Sequence, residues 1–229
     1  MNRVLEVCLV GLTLLASAVA ANDAAAQTLR KGVSVEMAVT KSAAPMPEAD
    51  DENAWIVTIR RDEALYFGTD MATASGLEEA MKRRPRNRWQ KLYVKADARA
   101  PFADVEGVLE AARRVGFEAP VLLTAQTESP APGTIVPPRG LEVLVVPPAG
   151  AQAIVVQVSA GEPSPGLKVN NEAISPDALE SRLKQLLQNS SEKVVLVKAD
   201  GRVPFAQVVR VIDACRSTGA KAVLATPEP

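Results

Sequence analysis

Twelve residues are written almost identically twice in this chain. "VKADARAPFADV" runs from Val94 to Val105, and "VKADGRVPFAQV" runs from Val197 to Val208. The likeness continues on both sides. "KLYVKADARAPFADVEGVLEAARRVGF" (91–117) lies on "VVLVKADGRVPFAQVVRVIDACRSTGA" (194–220), and "ALYFGTDMATASGLEEAM" (64–81) lies on "GLKVNNEAISPDALESRL" (166–183). In the second pair Leu65 meets Leu167, Phe67 meets Val169, and Leu77 meets Leu179. Prolines, glycines and apolar stripe recur together and in order. The chain is therefore two copies of one unit, and any fold must be a fold twice over.

Each copy reads as a mixture of strands and helices. In the first, "GVSVEMAV" (32–39) alternates as a strand does, and "WIVTI" (55–59) and "LYFGT" are short strands, the latter ending in a glycine turn. Thr73 to Arg84 reads as a helix with Thr73 as N-cap and Pro85 just beyond its end. "KLYVKA" (91–96) is a strand, and Pro101 opens a second helix whose stripe is Phe102, Val105, Leu109 and Ala112, with Gly116 at its end. "APVLLTA" (119–125) is a continuous apolar strand, as a buried central strand should be. Between the first two strands, "TKSAAPMPEADDENA" (40–54) holds two prolines and four acidic residues and reads as a mobile loop.

The domain organisation follows. Residues 1–21 form a signal peptide or membrane anchor, 22–31 a tether, 32–125 the first domain, 126–138 a proline-rich linker of extended, semi-stiff character, and 139–229 the second domain. The second domain restarts with "RGLEVLVV" (139–146), continues with "AIVVQV" (153–158), and closes with "KAVLAT" (221–226). The fold class expected is α+β: two tandem domains, each a mixed sheet of four to five strands with two helices packed on one face.

The leader is apolar and uncharged from Val7 to Ala21, shorter than the ~18–20 residues a spanning helix usually takes. Ala18-Val19-Ala20 is a small-residue cleavage signal, and Arg3 supplies the preceding charge. Cleaved or retained, the leader puts the rest of the chain outside the cytoplasm.

Composition closes several doors. The chain has no histidine, which removes histidine triads, histidine bases and most zinc sites. A net charge of −1 gives no electrostatic case for nucleic acid. There is no glycine-rich phosphate loop and no G-x-S-x-G elbow, so no cofactor and no enzymatic activity are expected. Cys8 and Cys215 have no metal-ligand spacing. On the helix stripe, Cys215 reads as a small core residue.

The repeated word offers Asp97 and Asp200 as candidate site residues. Each stands where a strand ends and a turn leads to a helix, so its carboxylate can accept backbone amides one or two residues on. That structural role competes with a metal or acid/base role, which lacks a second carboxylate nearby. Lys95 and Lys198 read as solvent-facing, and Phe102 and Phe205 as plugs between helix and sheet. Val209 stands where the first copy has Glu106, either touching the first copy or exposed alone.

The repeated word and its surroundings resemble the periplasmic domain of the ExbD/TolR family. The resemblance rests on a strand ending in Ala-Asp before a "PFAQVVRVIDACRSTGA" helix, seen more loosely in "PFADVEGVLEAARRVGF", and on the hairpin and Leu-rich helix before it. It covers each repeat nearly end to end. It implies a bacterial inner-membrane protein facing the periplasm, or a free periplasmic one if the leader is cleaved. It also implies protein partners: an ExbB/TolQ-like channel and a TonB/TolA-like protein. Single-domain relatives work as dimers, so a tandem supplies a built-in pseudo-dimer. The family's proton relay is an aspartate near the start of the anchor, where this chain has Glu6. The reading is a non-enzymatic binding component of a proton-motive-force-coupled transport or envelope-integrity complex. The alternatives are an active membrane subunit with Glu6 as relay, and a periplasmic enzyme on this fold.

Overall fold

The computed structural model describes residues 33–87, 89–127, 136–161, 165–188, 190 and 192–225. The leader with Glu6, the tether, and residues 128–135 of the linker lie outside the described residues.

The first repeat runs β1 (Val39–Thr40), β2 (Ala44–Pro45), a 3-10 turn (Pro47–Asp50), β3 (Trp55–Ile59), β4 (Leu65–Phe67), β5 (Asp70–Ala72), α1 (Leu77–Arg83), β6 (Leu92–Ala96), α2 (Phe102–Arg114) and β7 (Val121–Gln126). The second runs β8 (Arg139–Glu142), β9 (Ile154–Ser159), β10 (Gly166–Val169), β11 (Glu172–Ala173), a 3-10 turn (Pro176–Ala178), α3 (Leu179–Leu187), β12 (Val194–Ala199), α4 (Phe205–Ser217) and β13 (Lys221–Leu224).

The two repeats share one topology. The order β5-β4-β3-β6-β7 in one sheet matches β11-β10-β9-β12-β13 in the other. In each, the first strand of an antiparallel hairpin pairs in parallel with a central strand, which pairs in parallel with the last strand on its other side. Parallel neighbours need a crossover, and the helices supply it. Phe102, Val105, Leu109 and Ala112 of α2, and Phe205, Val208, Ile212 and Cys215 of α4, are buried in the main core. Both long helices end at a glycine with positive φ, Gly116 at 86° and Gly219 at 77°, a conformation glycine adopts without steric cost.

Several local features differ from the sequence reading. Of the segment 32–39 expected as a strand, only Val39 lies in one among the described residues, β1. Helix α1 begins at Leu77, not Thr73, because the Thr73 hydroxyl accepts the Gly76 amide (3.0 Å) in a turn of its own. Arg84 ends it in an extended conformation (ψ 125°), as a residue before proline prefers. Strand β8 opens the second repeat in sequence yet pairs antiparallel with β7 of the first, Val121 to Glu142 through Thr124 to Arg139. Two residues later Leu144 bridges Val223 beside β13. One segment therefore laces both sheets, and Leu141, Val143 and Val145 carry a single core across the two repeats.

The acidic loop is not loose. It folds back over the outer face of the first sheet, where Met37, Met46 and Ala49 cover Ile56, Tyr93, Val121 and Leu123 in a second small core. Apolar side chains among the acidic residues hold it there. That cover also buries Lys95, which the sequence placed in solvent and which is 1% exposed here. Its counterpart Lys198 is exposed, because no such flap covers the second sheet among the described residues.

Candidate functional site at the junction of the repeats

The first amides of an α-helix have no partner within the helix, and a nearby Ser, Thr, Asp or Asn commonly supplies one. Neither α2 nor α4 has a side-chain cap; each follows a proline instead. Their first amides go to the other repeat. Phe102 donates to the Val203 carbonyl (2.9 Å) and Ala103 to that of Gly201 (3.0 Å). Reciprocally, Phe205 donates to the Ala100 carbonyl (2.9 Å) and Ala206 to that of Ala98 (2.9 Å). Each repeated word caps the other's helix, and Pro101 faces Pro204 at the centre. This is a local two-fold relation, and it gives the duplicated sequence a physical purpose that neither copy shows alone.

The two aspartates shape the turns that present those carbonyls. Asp97 accepts the Arg99 amide (3.0 Å), and its other oxygen takes the Glu36 amide (3.3 Å) of the N-terminal segment. Asp200 accepts the Arg202 amide (2.9 Å) and both ends of the Arg202 guanidinium (3.1 and 3.0 Å). Those bonds hold the Asp200 carboxyl down at about 2. The same arginine position in the first repeat reaches elsewhere: Arg99 pairs with Glu36 (2.9 Å). The structure does not bring Asp97 and Asp200 together on one ligand, and Glu6 lies outside the described residues.

The two-fold relation breaks beside the helices. The Asp213 carboxylate of α4 accepts the Lys41 and Ser42 amides (2.9 and 2.8 Å), so the 41–42 segment of the first repeat closes that flank. Val209 is fully buried there. On α2 the matching positions carry Glu106 and Glu110, and among the described residues the flank stays open. A cleft of about 690 Å³ lies between α2 and the outer face of the second sheet, lined by Glu106, Arg113, Val146, Leu196, Lys198 and Leu224. Burial and neighbouring Glu110 push the Glu106 carboxyl up, and the Arg113 Nε is buried without a hydrogen-bond partner. Its lining mixes apolar Val146, Leu196 and Leu224 with charged Glu106, Arg113 and Lys198, which suits a peptide better than a small apolar molecule.

Buried Cys215 has its thiol pushed up to about 12 by burial, which leaves it without nucleophilic character at neutral pH. Among the described residues no group of histidine, cysteine or carboxylate side chains could hold a metal ion. Nor is any helix among them long and apolar enough to cross a membrane.

A model of the Biopolymer transport protein ExbD/TolR family matches residues 7–127 and again 132–228. The chain belongs to the ExbD/TolR family. The double match is the tandem duplication seen in the fold. ExbD/TolR proteins are envelope-associated, non-enzymatic transport components that work with protein partners. No curated protein matches the chain.

The capping carbonyls of Ala98, Ala100, Gly201 and Val203 were missed in the sequence because a backbone oxygen leaves no residue signature. One signal was available. Both helices start at proline with no capping residue beside it, so their first amides had to find partners elsewhere.

Proposed function

We propose that this ExbD/TolR protein is a periplasm-facing binding component of a proton-motive-force-coupled transport or envelope-integrity complex. It engages an ExbB/TolQ-like channel and a TonB/TolA-like protein without doing chemistry of its own. One observation carries the reading. Reciprocal helix capping joins the repeats, and the break in the two-fold relation leaves one of the two flanks open among the described residues, the cleft beside Glu106 and Lys198. A rigid body with one open flank is suited to holding a partner segment in one orientation. Asp97 and Asp200 act in this reading as turn-formers that support the junction.

Attachment through the N-terminus fits the family match, which takes in the apolar stretch 7–21. Glu6 immediately precedes that stretch. The relay role remains the alternative in which the leader is retained and the carboxylate sits at the membrane.

The test is a photo-crosslinking amino acid at Lys198, with a control on the opposite side at Arg182, followed by purification from membranes. The reading expects a channel or TonB/TolA-like protein crosslinked from position 198 and not from 182. Equal crosslinking from both positions, or none with an intact envelope, would overturn the cleft as the binding place.

A further inference from the structure

The first sheet carries its own cover and, among the described residues, the second does not. Successive side chains of a strand point to opposite faces of the sheet. Val156, Val158, Val195 and Val197 enter the main core, so Val155, Gln157, Leu196 and Lys198 stand on the outer face of the second sheet. The pair Ile56 and Tyr93 in the first sheet is matched in register by Val155 and Leu196 in the second. Beneath the flap Ile56 and Tyr93 are buried, whereas Val155 and Leu196 are only partly covered. We infer that this outer face, with the cleft at its border, docks an acidic, extended segment of a partner protein, laid there as the flap is laid on the first sheet. The inference deepens the reading of the cleft as a binding place and rests on it.

Charge selects the partner. Lys168 and Lys198 both sit beside Gln157 in one row across the sheet, about 10 Å apart by strand spacing. Lys221 joins them from β13, since its neighbour Ala222 enters the main core. All three lysines are exposed, and no carboxylate pairs with any of them among the described residues. Strands β9, β10, β12 and β13 place no carboxylate on this face. At the border, α2 adds Glu106 and also Arg113, whose Nε is buried without a hydrogen-bond partner. The row in the first sheet that matches Lys168, Gln157 and Lys198 is Tyr66, Thr58 and Lys95. The shared fold therefore does not require the second repeat's exposed lysine row.

The flap shows what form of segment fits such a face. Met46 and Ala49 turn to the sheet and are buried, while Glu48, Asp50, Asp51 and Glu52 are exposed. Two small or unbranched apolar side chains thus cover the sheet, and the carboxylates between and after them stay at its rim. A segment of that kind on the second sheet covers Val155 and Leu196 and sets its carboxylates within reach of the long lysine stems. Opposite charges across the contact steer and orient the segment.

The test uses the full chain and a fluorescein-labelled peptide copying residues 43–53, AAPMPEADDEN, followed by anisotropy. One control peptide carries Glu48→Gln, Asp50→Asn, Asp51→Asn and Glu52→Gln; another carries Met46→Ser and Ala49→Ser. Saturable binding of the acidic peptide is expected, weakening as salt is raised. The neutral peptide should bind about tenfold or more weakly, and the serine peptide several-fold more weakly. Lys168→Glu with Lys198→Glu should abolish binding, and Lys198→Ala alone, which removes one exposed amine, should weaken it several-fold. Arg210→Glu, on α4 at the opposite face of the sheet, should leave it unchanged. Equal binding of the neutral peptide, binding untouched by the lysine substitutions, or binding of phosphatidylglycerol vesicles in place of the peptide would overturn the inference. The outcome separates from the photo-crosslinking result. A partner crosslinked from position 198 with no preference for the acidic peptide rejects the acidic segment alone. Peptide binding without such a crosslink supports the docking face and rejects the proposed assembly.

Discussion

Pro101 and Pro204 face each other in an antiparallel bridge, and the residues after them cap their helices on each other's carbonyls. The junction is thus made of backbone, and it depends on how closely the two turns can approach.

Gly201 sets that approach. A Cβ there would lie 3.0 Å from the Ala103 Cβ and 3.6 Å from its Cα. Gly201→Val should therefore destabilise the whole protein by roughly 1–3 kcal/mol through overpacking. Gly201→Ala should cost much less, since Ala98 is the matching residue in the first repeat. Urea denaturation reads both; a Gly201→Val protein as stable as the parent would show the approach to be slack.

The second repeat should be weak on its own. A fragment spanning 139–229 loses the antiparallel partner of β8 and the carbonyls of Ala98 and Ala100. Each lost hydrogen bond is worth about 0.5–1.5 kcal/mol net, and the shared core is cut as well. The full chain should melt in one transition and the fragment at lower temperature. The fragment should also bind a cleft-directed partner less well, because α2 supplies one wall. Two separate transitions in the full chain would contradict the single body.

Acid should act on Asp200 through Arg202. The carboxyl is held at about 2, below its ordinary 3.8. A depressed carboxyl contributes stability that is complete above the unfolded value and is lost as pH falls from about 3.8 towards about 2. Carbon-detected NMR titration of Asp200 should show the low value, and Arg202→Ala should move it up. No movement would assign the shift to the turn amides alone.

Lys95 is an amine buried without a hydrogen-bond partner beneath the flap, and desolvation pushes its pKa down. A lysine whose folded value lies below its unfolded value destabilises the fold at neutral pH, and the penalty fades as pH rises through that interval. Lys95→Met should accordingly raise the melting temperature at pH 7, with a gain of about 1–3 kcal/mol from removing an unpaired polar group. The gain should shrink as pH rises towards the ordinary lysine value of 10.5. A lower melting temperature in Lys95→Met would mean that the amine has a stabilising partner.

The sequence by itself determined the duplication, the order of strands and helices, and the family. Those follow from local chemistry that each residue carries with it: period-two and helical stripes, prolines at helix starts, glycines at helix ends. Phe102 and Phe205 were legible as core plugs because a large apolar ring on a helix stripe has few other places to go. What only the tertiary structure decided depends on residues distant in the chain. Strand β8 crosses to the first repeat because its hydrogen bonds are backbone bonds, which any open edge of suitable length can satisfy. Lys95 is buried and Lys198 is not because one sheet has a flap and, among the described residues, the other has none, a difference written in residues 40–54, far along the chain from either lysine. The cleft beside Glu106 exists where the two copies cease to match. A repeated word announces the symmetry of a pair, but only packing shows where that symmetry is broken and a surface is left open.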